Sequence, residues 1–190
     1  MDGVRYAESE GLAKCMKETF KGGHADLGFA DPLECFLDRD DRSDLQNLVD
    51  NVAFSRCFVF VLSKHALDSP WCMLELLAAV MNGVQVVFVQ LEGHSMGTIG
   101  FPDKLTAMAF PEADRLMAIK VIKHSKDYYD AFMGLVAARV AGAREQRPSP
   151  APSVGSEQVY GEFRALQERR NKVFPAARPW EIITHRPTRQ

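Results

Sequence analysis

At 190 residues, with 46% hydrophobic and 25% charged residues, the chain has the length and balance of one soluble domain with an appendage. A formal net charge of −2 excludes a general attraction to nucleic acid or to an anionic membrane surface. The charge is unevenly spread: residues 1–142 hold 14 Lys+Arg against 20 Asp+Glu (net −6), and residues 143–190 hold 9 against 5 (net +4).

The first ten residues are polar and offer no signal-peptide core. The longest uncharged run, Leu76 to Leu91, is broken by Asn82-Gly83 and divides into a helix end and a strand rather than a membrane span. The cysteines (Cys15, Cys35, Cys57, Cys72) form no Cys-x-x-Cys pair, which argues for core thiols in a reducing cytosol.

In chain order, Gly3 to Ala7 is expected to be the stub of a strand, with Val4-Arg5-Tyr6 at its centre. Glu8 to Thr19 reads as a helix, with Leu12, Cys15, Met16 and Thr19 along one side. Leu33 to Leu37 is a short strand candidate, followed by the charged turn Asp38-Arg39-Asp40-Asp41-Arg42. Ser43 and Gln46 have the spacing of a capping box before a helix that carries Leu45, Leu48, Val49 and Val52 on one face.

Cys57 to Leu62 is continuously β-branched and aromatic, as expected of a central parallel strand covered on both faces. Ser69 stands at a helix N-cap position and Pro70 at the first helical position. The helix runs to Met81 and ends at Asn82-Gly83. Val84 to Val89 repeats the buried-strand signal.

Beyond a Gly-rich loop (Glu92 to Phe101), Asp103 to Phe110 reads as a short helix and Leu116 to Ile122 as an edge strand. Asp127 to Val140 is an amphipathic helix, with Tyr128, Phe132, Leu135, Val136 and Val140 at helical spacing. The chain thus divides into a domain over residues 1–142, a Pro/Ser-rich linker over 143–158, and a basic helix with a proline-containing, loose tail over 159–190. Strands alternating with helices predict an α/β fold with an open parallel sheet and helices on both faces.

Glu75 is the only charged side chain between Pro70 and Met81. It is either the one wet position of that helix or an acid held in a cleft. In open parallel sheets, ligands bind beyond the carboxyl ends of the strands. The Ser63–Ser69 loop and the start of the Glu75 helix belong there, which favours the cleft.

Other chemistry is weaker. No Gly-x-Gly-x-x-Gly or Walker-type loop is present. Ser63 lacks the Gly-x-Ser-x-Gly setting of a nucleophile elbow, and the five histidines show no metal-ligand spacing. Arg39 and Arg42 are interleaved with Asp38, Asp40, Asp41 and Asp44, which favours a self-neutralised loop over a cation site. Cys72 and Trp71 read first as packing residues of the helix start.

Four blocks resemble the Toll/interleukin receptor (TIR) domain family: Cys35-Phe36-Leu37-Asp38, the segment Val52 to Ser63, Ser69-Pro70-Trp71-Cys72-x-x-Glu75-Leu76, and Val84 to Val89. The Pro-Trp-Cys and Phe-Leu-Asp wording is closest to TIR-like domains of protists and algae. The resemblance covers residues 3–142 and implies a flavodoxin-like fold, here with a truncated first strand and a C-terminal helical tail. It further implies signalling by homotypic TIR–TIR self-association and, in a subset of members, cleavage of NAD at the nicotinamide–ribose bond.

In that subset the signature glutamate is catalytic, here Glu75. The substrate-binding positions it implies are Trp71, Arg5, Tyr6, Asp38 and Ser63. NAD, or NADP, would be a substrate rather than a cofactor; no metal, nucleic acid or membrane partner is implied, and the location would be cytoplasmic. The rival is a non-catalytic interaction module. A shortened first strand would leave ladder groups unpaired, as in a fragment of a longer protein.

Overall fold

A computed structural model describes residues 3–35, 45–146, 154–177 and 179–180, with the side chains of residues 3–7, 45 and 46 outside that description. The charged turn 38–42 and the capping box of Ser43 and Gln46 are likewise outside it. Around a three-stranded sheet lie helices α1 (Gly3–Gly22), α2 (Leu45–Ala53), α3 (Pro70–Met81), α7 (Tyr129–Gln146) and α8 (Ser156–Val173), with short helices α4 (Met96–Ile99), α5 (Asp103–Ala107) and α6 (Ala113–Met117) between.

Strands β1 (Cys57–Leu62), β2 (Gln85–Gln90) and β3 (Ile122–Lys123) are all parallel, in the order β1-β2-β3. The arrangement is an open parallel α/β sheet of flavodoxin-like type with a helical C-terminal region. β1 and β2 pair along their whole length, from Cys57 opposite Gln85 to Leu62 opposite Gln90. Alternation then sorts the side chains between two cores. Phe60, Leu62, Val86 and Phe88 face the core shared with α2, α3 and α8, while Val87, Val89 and Ile122 face α1 and α7. Phe60 and Phe88, directly opposite in the register, meet edge-on at 5.9 Å.

Several expectations are corrected. Val4 to Tyr6 do not form a strand; they belong to the first turns of α1. Ala, Glu and Lys from Ala7 onward favour helix strongly enough to carry it back through these residues. β1 is covered on both faces as expected, yet it stands at an edge of the sheet among the described residues; of the strand expected at Leu33 to Leu37, Leu33–Cys35 are not in a strand, and Phe36 and Leu37 lie outside the described residues.

A further correction concerns Leu116 to Ile122, where only Ile122 and Lys123 pair with β2. Leu116 and Met117 are good helix formers and close α6, which leaves the β-branched end to join the sheet. In α7 the buried stripe is Phe132, Met133, Val136, Ala137 and Val140, while Leu135 points to solvent and Tyr128, also exposed, lies in the turn before the helix.

α3 is bounded as its sequence signals require. The Ser69 hydroxyl accepts a hydrogen bond from the Cys72 amide at 3.4 Å. At the other end Gly83 takes a left-handed φ of 63°; its N–H donates to Val80 (3.1 Å) and that of Val84 to Ala79 (2.8 Å), a Schellman closure. Met73, Leu74, Leu76, Leu77, Ala78 and Ala79 are all 0% exposed. A helix apolar nearly all round needs cover nearly all round. The sheet supplies one side; α2 and α8 supply the other, α8 through Val159, Phe163 and Leu166.

The tail is not wholly loose. Trp180 is 6% exposed, stacks on Phe163 at 5.7 Å, lies 4.7 Å from the Arg170 guanidinium, and donates its indole N–H to the Asp68 carbonyl at 2.7 Å.

Candidate functional site

The carboxyl ends of the strands gather three loops. Parallel pairing continues just past the strands, where the Leu91 N–H donates to Leu62 O (3.1 Å) and the His124 N–H to Gln90 O (2.9 Å). This fixes the starts of the loops after β1, β2 and β3 relative to one another. Between the first two, the Lys64 N–H donates to His94 Nδ1 at 2.9 Å. The ring is thereby held with its proton on Nε2, which lies 4.0 Å from Glu8 Oε2 on α1. The Gln90 side-chain amide also donates to the His94 carbonyl. Between the second and third loops, Glu92 Oε2 accepts from the Lys126 N–H at 3.1 Å.

The loop from β1 to α3 is short and firmly held. Ser63, half-buried, follows the strand directly, and its carbonyl accepts from the Ala66 N–H at 3.1 Å. Ala66 to Asp68 form one 3-10 turn with Ala66 and Leu67 buried. Both carboxylate oxygens of Asp68 accept from Lys104 Nζ (2.8 and 2.7 Å), while its carbonyl takes the Trp180 indole. Ser69 then caps α3.

On α3, Trp71 and Glu75 are four residues apart and share one face, one turn above the other. Both are half-buried, and Trp71 packs against the larger core. Glu75 is the sole acid of a helix otherwise given over to hydrocarbon, in the element that directly follows the carboxyl end of β1. A carboxylate so placed can accept hydrogen bonds from a ligand's hydroxyls or offset positive charge on a ligand, and the indole beside it can cover an apolar ring.

The other positions are not assembled around this pair by the described residues. Arg5 and Tyr6 are helical in α1, with their side chains outside the described residues, as is Asp38 altogether. His94 and Glu8 were passed over in the sequence, since nothing local links positions 64 and 94; only the strand order brings them together.

Two thiols are deactivated by their surroundings. Burial pushes Cys57 up to about 12, with Cys35 nearby adding to the rise, and burial likewise raises Cys35 against the opposing pull of Lys17. Cys72, in the first turn of α3, packs half-buried against the larger core.

The family model for the TIR domain matches residues 25–128, more than half of the chain, so that α2, α3 and all three strands fall inside the match and α7 and α8 outside it. No curated protein and no solved structure matches the chain.

Proposed function

Because the chain belongs to the TIR domain family, we propose that it is a TIR-type NAD nucleosidase, cleaving the nicotinamide–ribose bond in a signalling or stress response. The observation that carries this reading is Glu75, half-buried on an otherwise apolar helix and one turn from Trp71. The chemistry suits one carboxylate. Nicotinamide already bears the positive charge, so it leaves without protonation. An acid beside the ribose can hydrogen-bond its hydroxyls and stabilise the oxocarbenium-like transition state. Trp71 would line the same site, with Ser63 at its strand end and Arg5, Tyr6 and Asp38 as further substrate contacts; NADP would be an alternative substrate. A cytoplasmic setting supplies both dinucleotides.

A second reading, a non-catalytic module that signals by TIR–TIR contact, is favoured by the large apolar side chains left in solvent: Tyr128 in the turn before α7, Leu135 on α7, and Phe54 after α2. The test is nicotinamide release from NAD by concentrated protein, with and without crowding agent. Release by the wild type and none by Glu75→Gln of unchanged melting temperature supports the enzyme. No release at any concentration, together with self-association in sedimentation, supports the module.

A further inference from the structure

A basin of about 710 Å³ opens at the end of the sheet opposite Glu75, where the Asn82–Gly83 turn enters β2. Its origin is the shortness of β3. That strand pairs only with Val89 and Gln90, so residues 85–88 of β2 have no strand neighbour on that side among the described residues, and the chain from Ala118 to Lys120 forms a separate wall. The volume is in the range of pockets that hold small molecules.

Three of the basin's lining residues are cationic: Arg115, Lys120 and Arg139. Arg115 is engaged by Glu112, one turn away, which leaves Lys120 and Arg139 as the main uncompensated charges of the lining among the described residues. Gln85 lines the same space, and its Oε1 is buried without a hydrogen-bond partner among the described residues. A buried acceptor left unsatisfied is unfavourable and calls for a donor. Lysine and arginine call for an anion, and guanidinium in particular matches phosphate.

We propose that this basin binds a phosphate-bearing polyol, of the class of sugar phosphates and nucleotides, with the phosphate held by Lys120 and Arg139 and a hydroxyl donating to Gln85 Oε1. The site is separate from the carboxyl-end loops and does not rest on the catalytic reading of Glu75.

The experiment titrates the full chain, by calorimetry, with ribose 5-phosphate and with inorganic phosphate as the bare-anion control. Ribose 5-phosphate is expected to bind saturably and more tightly than phosphate. The double variant K120Q/R139Q is expected to weaken both by about tenfold or more, as removal of charge-assisted contacts does. Gln85→Leu is expected to abolish the preference for the sugar phosphate while leaving phosphate binding unchanged. The same variant is expected to melt at or above the wild-type temperature, since it removes the orphaned acceptor, and that readout separates lost recognition from lost fold. No saturable binding of either probe at millimolar concentration overturns the proposal, as does affinity indifferent to K120Q/R139Q or a Gln85→Leu loss equal for both probes.

Discussion

Replacing Trp180 by alanine tests whether the last described residue is part of the fold's framework. The indole is almost fully buried, stacked nearly parallel (8°) on Phe163, beside the Arg170 guanidinium and hydrogen-bonded to Asp68 O. Truncating a buried tryptophan costs about 3–5 kcal/mol, a range that already includes lost packing. The hydrogen bond accounts for about 1 kcal/mol of it and the cation–π contact for up to about 2 kcal/mol.

The residue stands on the irregular stretch that follows α8, however, and the loss cannot exceed the free energy that docks this stretch. Arg170, 3% exposed and with its protonation disfavoured by burial, also regains water once the ring is gone. We therefore expect about 3 kcal/mol for Trp180→Ala, at the lower end of the range. Trp180→Phe, which keeps a stacked ring but loses the N–H and part of the buried indole, should cost about 1–2 kcal/mol. Urea unfolding followed by circular dichroism measures both, with the slope of the transition reporting whether the segment undocks separately. A loss below about 1 kcal/mol for the alanine variant, or equal losses for the two variants, would refute the stacking argument.

Ser69→Ala should destabilise the protein by about 1 kcal/mol and Ser69→Asp should restore most of it, because either hydroxyl or carboxylate can accept from the first turn of α3; chemical denaturation decides. At mildly alkaline pH a thiol reagent should modify the exposed Cys15 first and Cys57 last, in line with a Cys57 thiol raised to about 12 by burial; mass spectrometry of the labelled sites gives the order, and simultaneous labelling would contradict it. His124, whose protonation is disfavoured by burial among Tyr129 and Phe132 with Glu92 opposing and Lys126 assisting, has a folded pKa below its ordinary 6.5. As pH falls through about 6.5 the unfolded chain takes up this proton first, so the stability present above that pH is lost at up to about 1.4 kcal/mol per pH unit until the folded pKa is passed. Melting curves of His124→Phe over the same interval should be flatter than wild type by this contribution.

How much was legible depends on whether the signal was local. Both ends of α3 could be read from Ser69-Pro70 and Asn82-Gly83, because caps are made by neighbouring residues, and the two long strands from their unbroken β-branched runs. Trp71 and Glu75 could be placed on one face by spacing alone. Val4 to Tyr6 misled because three strand-compatible residues were joined to a stronger helix, and Leu116 to Ile122 because one apolar run contained both a helix end and a strand. The bond from Lys64 to His94 and the docking of Trp180 on Asp68 span 30 and 112 residues and left no trace in local pattern. The almost wholly apolar α3 did announce that a covering layer existed, without saying that α8 would be it.

That covering layer governs how shortened versions of this protein would behave. Cutting the chain ahead of residue 154 would strip Val159, Phe163 and Leu166 from the outside of α3 and lay bare a greasy stripe the full chain never shows to water. Such a truncate should clump, and clumping of this origin would imitate the release of a restrained signalling domain while reporting nothing more than a missing piece of interior.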